Sequence, residues 1–262
     1  MKIAISGKGG VGKTTLASLL CLSFRRAGYD VLAIDADPDA NLASALGLPP
    51  EEPITPLAEM RDLIAERTGS KDAGGYFRLN PRVDDIPEQY ARRLGSIRLL
   101  VLGGIHRGGD GCLCPASALL KALLIHLVLA RDEALIMDME AGIEHLGRAT
   151  AQSMEALLVV VDAGPWSVQT ALRVRDLASD LGVRRVSAVA NRVDSDEQLR
   201  RIAGRLGDIP LIGRLPTDQR LVDGVLRVGA DGQVDAKEVL KDHAAAIEGI
   251  LARVSSGQET VS

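Results

Sequence analysis

The sequence predicts an α/β fold, a single doubly wound and mostly parallel sheet flanked by helices. Apolar runs alternate with amphipathic stretches along the chain, as in repeated βα units. The strand-length runs are apolar at almost every position, Ala156-Leu157-Leu158-Val159-Val160-Val161 most plainly, which suits strands covered on both faces. The first apolar run passes through a glycine-rich loop straight into a helical stretch. At 262 residues and 46% hydrophobic, the chain can bury one sizeable core, so residues 1–262 read as one domain.

Taken in order, a strand at 2–6 leads through the loop to a helix at 13–27, whose apolar stretch from Leu16 to Leu22 includes Cys21 as a small core residue. Further strands are expected at 30–35, 96–102, 134–138, 156–162, 185–191 and 210–214, each ending a run of Val, Ile, Leu or Ala. Helices fit between and after them at 115–131, 165–181, 197–206 and 236–253. Two of these begin at Pro115 and Pro165, where a fixed φ suits the first turn and the missing N–H is not needed. The helix at 197 follows Ser195 and Asp196, which suit its amino-terminal cap. The polar segment 69–93, with Tyr76-Phe77-Arg78-Leu79-Asn80-Pro81, breaks the rhythm and reads as a surface excursion. The small polar residues of 255–262 read as a flexible tail.

The loop Gly7-Lys8-Gly9-Gly10-Val11-Gly12-Lys13-Thr14 has the spacing of a phosphate-binding loop. Glycines let the backbone curl so that successive N–H groups face an anion at the positive end of a helix. Lys13 is placed to reach the β- and γ-phosphates and the Thr14 hydroxyl to meet Mg²⁺, with Thr15 the next residue against the nucleotide. Two acidic clusters follow strands at the same sheet edge. In Asp35-Ala36-Asp37-Pro38-Asp39-Ala40-Asn41 a carboxylate can orient a water or hold Mg²⁺ through its waters. Ala134-Leu135-Ile136-Met137-Asp138 is an apolar strand ending in an acid, the physical form of a magnesium-binding Walker B strand.

Gly111-Cys112-Leu113-Cys114-Pro115 sets two thiols at the start of a helix, where thiolates are favoured. Cysteines at i and i+2 make a strained disulfide at best, and two thiolates leave a d-block ion unsaturated. Two copies of the chain supply four sulfurs, enough for one Ni²⁺ or Zn²⁺ per dimer or an iron–sulfur cluster.

The second lysine of the loop, Lys8, gives K-G-G-x-G-K-T, which resembles the deviant loop of the dimeric P-loop ATPases that include the septum-site proteins, the partition ATPases and the nitrogenase iron protein. That resemblance implies a nitrogenase iron protein-like fold, a homodimer closing over ATP/ADP, and a Lys8 that crosses the interface to the partner's phosphates. It further implies that Asp37 positions the attacking water and contributes with Thr14 and Asp138 to the Mg²⁺ site. It places Asn41 near the metal, Asn191 on the adenine and Leu215-Pro216-Thr217 on its other side. Met139-Glu140-Ala141-Gly142-Ile143-Glu144-His145 looks like the second switch, with His145 in a switch or interface role rather than as a base. With the C-x-C loop and D-A-D-P-D-A-N-L added, nearly the whole chain is similar to the nickel-insertion accessory ATPases of carbon monoxide dehydrogenase. The implied client is that dehydrogenase.

Composition weighs against the rivals. A nitrogenase-like reductase would carry a cysteine after the Walker B strand, and Met139-Glu140-Ala141-Gly142 has none. A membrane-cycling relative should end in a basic amphipathic helix, but the final residues are neutral to acidic. A net charge of −4 and a pI near 5.6 do not suit a DNA-coating surface, and Arg184-Arg185 and Arg200-Arg201 read as solvated faces. At 2% aromatic content there is no base-stacking platform. No nucleic-acid or membrane partner is expected. The stretch 116–130 is interrupted by Lys121 and His126 and is too short to span a bilayer. With no leader at the amino terminus and three cysteines, too few for a disulfide framework, a cytoplasmic location is expected.

Overall fold

Strands that are apolar at every position must bury both faces, and they do so here in one sheet. The computed structural model describes residues 1–70, 76–103, 114–130, 133–142, 148–222, 227–228 and 234–256, with backbone alone at 129–130, 222, 227–228 and 234–235. Its strands are β1 (Lys2–Gly7), β2 (Val31–Ala36), β3 (Arg92–Leu94), β4 (Ile97–Val101), β5 (Ala134–Met139), β6 (Ala156–Val161), β7 (Val186–Asn191), β8 (Leu211–Leu215), β9 (Arg227–Val228) and β10 (Val234–Asp235). Its helices are α1 (Lys13–Arg26), α2 (Leu42–Ala45), α3 (Arg61–Thr68), α4 (Ile86–Tyr90), α5 (Pro115–Ala130), α6 (Arg148–Ser153), α7 (Pro165–Leu181), α8 (Asp196–Ala203), α9 (Gln219–Val222) and α10 (Lys237–Ser256).

Eight strands form the sheet in the order β3-β4-β2-β5-β1-β6-β7-β8. Every neighbour is parallel except the antiparallel pair of β3 with β4, while β9 and β10 form a separate antiparallel pair. Successive side chains of a strand point to opposite faces. Ala4, Leu32, Ile34, Met137 and Val159 face one apolar layer with residues of α5, α6 and α7. Ile3, Ile5, Ala33, Ile136 and Leu158 face the other, against α1 and α10. The α/β expectation holds, and each of the seven expected strands lies within one residue of its position.

The differences have local causes. The segment 69–93 was expected on the surface, and much of it is exposed, from Tyr76 at 89% to Arg92 and Arg93, but Val83 and Ile86 anchor it in the core. An Arg67 to Asp85 pair of hydrogen bonds at 2.9 and 2.7 Å fixes the segment to α3, and β3 then adds an antiparallel edge. The expected tail begins too early, because Ser255 and Ser256 bond back to the carbonyls of Leu251 and Arg253 and continue α10; residues 257–262 lie outside the described residues. The helix expected at 197–206 stops at Ala203 because the chain turns through Gly204 and Gly207, the latter in the left-handed region at φ +64°.

Candidate nucleotide site

Beta strand β1 lies mid-sheet between β5 and β6, so the loop leaving it sits where the chain switches from one half of the sheet to the other, the usual position of a ligand crevice in such folds. Two of its glycines are dictated by space. At Gly7 a Cβ would lie 2.6 Å from the Val160 carbonyl oxygen, and at Gly12, with φ +97°, it would lie 2.0 Å from the Asn191 amide nitrogen. Neither position can carry a side chain without a shift of its neighbours. The Gly12 carbonyl accepts from the Leu16 N–H at 3.1 Å and starts α1, so the free amides of the first turn open towards the crevice.

Register brings the acids to this point. Asp35 of β2 pairs in register with Asp138 of β5, which is itself opposite Ile5 of β1. Both carboxylates are buried. Asp35 accepts the Leu42 N–H at 2.8 Å and the Asp37 N–H at 3.2 Å, which braces the turn carrying Asp37 and caps α2 from a distance. Asp37 in turn accepts the Asp39 N–H at 3.1 Å and stands 3.4 Å from Lys13 Nζ. Burial is the main force on both strand acids: it pushes the Asp35 carboxyl up to about 6 against the pull of the Leu42 and Asp37 amides. It pushes Asp138 up to about 7, with the Thr14 hydroxyl offsetting only part of the effect.

Neither Asp138 oxygen has a partner in good hydrogen-bond geometry. An unpaired buried carboxylate is costly, and beside the Thr14 hydroxyl it is the donor set that suits a hydrated Mg²⁺. Gly9, Gly10, Lys13, Thr14, Asp37 and Glu140 line one cavity of about 420 Å³, with Asp39 and Asn41 at its wall. Of the residues expected to work together, Lys13, Thr14 and Asp37 line this cavity, and Asp138 stands beside Thr14 at the end of β5. Lys8 is exposed at the loop.

The other expected residues have the following surroundings. Asn191 is buried, but its amide donates to the Val11 carbonyl at 2.8 Å, so in this state it holds the loop. Pro216 is exposed and lines a separate cavity with Arg214 and Asp242. Cys21 is buried, and burial pushes its thiol far up, as fits an inert core residue. Cys114 forms the amino-terminal cap of α5: its carbonyl accepts from Ala118 and its sulfur from the Ser117 N–H at 3.4 Å. The Ser117 hydroxyl, 3.1 Å from the sulfur, is the largest cause holding this thiol below its usual range. Cys112 and residues 143–147, with Glu144 and His145, lie outside the described residues. Among the described residues no group of three or more His, Cys, Asp or Glu forms a metal site, and no helix is long and apolar enough to cross a membrane.

Sequence reasoning missed Asp35 as the brace of the Asp37 turn, although its place at the end of an apolar strand was a usable signal. It also missed Ser6, whose hydroxyl donates to the Glu140 carbonyl at 2.9 Å and ties β1 to the residues after β5.

Residues 2–227 match the CobQ/CobB/MinD/ParA nucleotide binding domain family. The chain is 45% identical over 224 residues to the carbon monoxide dehydrogenase accessory protein CooC of Rhodospirillum rubrum, covering 84% of this chain and 85% of that one. It is also 45% identical over 227 residues to an uncharacterised ATP-binding protein of Methanocaldococcus jannaschii, covering 85% and 87%. Among solved structures, a chain of the MinC:MinD cell division protein complex of Aquifex aeolicus superposes with a TM-score of 0.66 at 21% identity, over 99% of this chain and 97% of that one. At that identity the likeness is one of fold.

Proposed function

This chain belongs to the CobQ/CobB/MinD/ParA nucleotide-binding family and, within it, is a relative of the carbon monoxide dehydrogenase accessory protein CooC; from that premise we propose that it is an ATP-hydrolysing, homodimeric metallochaperone. It assists nickel insertion into carbon monoxide dehydrogenase, and the whole chain, 1–262, works as one ATPase domain in the cytoplasm. The observation that carries this reading is the convergence of Lys13, Thr14 and Asp37 on one crevice, with the buried Asp138 carboxylate beside Thr14, in a chain 45% identical to an accessory protein of that enzyme.

The loop amides from Gly9 to Thr14 would bind the phosphates and Lys13 would neutralise the β- and γ-groups. Phosphoryl transfer needs mainly positioning and charge stabilisation, which assigns Asp37 to the orientation of the attacking water. Thr14 and Asp138, with Asp37 nearby, would hold Mg²⁺, which when bound supplies charge neutralisation between the phosphates. Lys8, exposed on the loop, would add a second cation from the partner chain as the dimer closes, so that hydrolysis reports association. Cys114 and Cys112 from each chain would take one Ni²⁺ or Zn²⁺ as cargo. The Ser117 contacts favour the thiolate at Cys114, the form that binds metal.

The test is an anaerobic titration of the reduced, metal-free protein with Ni²⁺, with bound metal and molecular mass followed together. Half an equivalent per chain on a dimer, lost in the Cys112→Ser/Cys114→Ser variant, is expected. Binding that survives the double substitution would place the cargo elsewhere.

A further inference from the structure

We propose that Arg192 is a positioning residue of the nucleotide site, holding the phosphate loop in the form that presents its amides to phosphate. The inference rests on the reading that this loop takes ATP. A loop that turns its N–H groups towards an anion turns its carbonyls the other way, and those oxygens then need donors. Two consecutive residues at the end of β7 provide them: the Asn191 amide donates to the carbonyl of Val11, and the Arg192 guanidinium donates to the carbonyl of Gly10. The same guanidinium stands 3.9 Å from Asp162 Oδ2. Asp162 is itself held, since its Oδ1 accepts the Gly164 N–H at 3.0 Å in the turn before α7. Arg192 thereby joins the segments that follow β1, β6 and β7, three adjacent strands.

The backbone at this residue points the same way. Arg192 has φ +57°, a left-handed conformation that is unfavourable for a residue with a Cβ and that glycine would adopt freely. Strain of this kind persists where the surroundings fix it, and it collects at functional sites. Here the left-handed turn carries an arginine whose head reaches the phosphate loop, 182 residues away in sequence. A plain turn would need no long cation at this position.

The experiment uses the full-length protein and titrates Mg²⁺ with a slowly hydrolysed ATP analogue into wild type, Arg192→Ala, Arg192→Gly and Arg192→Lys, with the nucleotide-free melting temperature measured alongside. Loss of one charge-assisted hydrogen bond to the loop should weaken the analogue about tenfold in both the Ala and Gly variants. The melting temperature should fall further in the Ala variant than in the Gly variant, because glycine relieves the strained backbone. Arg192→Lys, which keeps a donor for the Gly10 carbonyl, should recover most of the affinity. Equal affinity in wild type, Ala and Gly variants would overturn the proposal, and so would an affinity loss that follows melting temperature and spares the Gly variant. A wild-type protein that binds no nucleotide would instead remove the reading on which the proposal rests.

Discussion

Helices α1 and α5 both start at the carboxyl edge of the sheet, and each carries a reactive group at its first turn, but they are supported differently. At α1 the loop is held from a distance, by Asn191 on Val11, by the Val160 backbone packed on Gly7, and by Asp37 against Lys13. At α5 the support for Cys114 is local, from Ala118 and Ser117 one turn away. Preorganisation at α1 depends on long-range packing, so that site is built once the sheet is built. The cysteine end of α5 has a sulfur tuned by its own helix and a ligand count that, on the proposed function, only a second chain completes.

The sharpest way to break the contrast is Lys13→Ala. It should weaken MgATP binding by about a hundredfold or more in an equilibrium titration, and retained affinity would mean that the loop is not the phosphate site. Cys112→Ser with Cys114→Ser should abolish stoichiometric nickel binding while the melting temperature stays within about 2 °C, since the half-buried Cys114 is held by contacts within its own helix end and such contacts contribute little to the core. A collapse of the fold would show that α5 depends on its cysteines as much as α1 depends on its loop. Asp37→Ala should keep ATP affinity within about threefold but lower steady-state hydrolysis about a hundredfold and leave the ATP-bound dimer trapped. Equal hydrolysis by variant and wild type removes the assigned role.

Proton linkage tests the buried acids. The folded-state values of Asp35 and Asp138 are raised to about 6 and about 7 from an ordinary 3.8. The folded chain therefore keeps protons that the unfolded chain releases from about pH 4 upward. Stability from these two groups is complete below that pH and is lost as pH rises towards 7, with Lys13 and Asp37 facing them throughout. In chelator and without nucleotide, the melting temperature should fall by roughly 5 °C from pH 5 to pH 8. Asp138→Asn should flatten a large part of that slope; an unchanged slope would show that Asp138 is not proton-linked. The smallest effect belongs to Ser117→Ala. Loss of the hydroxyl contact should let the Cys114 thiol rise and slow its alkylation at pH 7 about twofold, read by mass spectrometry.

Much of this was legible in the sequence because it depends on short-range pattern. Unbroken apolar runs located seven strands, and acids at their ends located Asp37 and Asp138. The antiparallel β3 was not legible, since Arg92 and Arg93 are exposed and only Leu94 is buried, which leaves no alternation to read. Helix α3 buries only Leu63, Ile64 and Thr68 and gives a similarly faint signal. In the site, the contacts of Asn191 and Arg192 with the loop cross some 180 residues of sequence, and no local pattern records a carbonyl's partner. Asp35 was visible as an acid at a strand end. Its work of holding the Leu42 and Asp37 amides requires the turn to be folded first.

The contact of Lys13 with Asp37, 3.4 Å apart and largely shielded from solvent, changes how affinity at this loop should be read. A phosphate arriving at Lys13 competes with an anion that is already there, so the lysine contributes the difference between two attractions rather than the whole of one. Removing the resident carboxylate should therefore make the loop more receptive to small anions such as free phosphate, and part of the selectivity for a triphosphate lies in the cost of dislodging it.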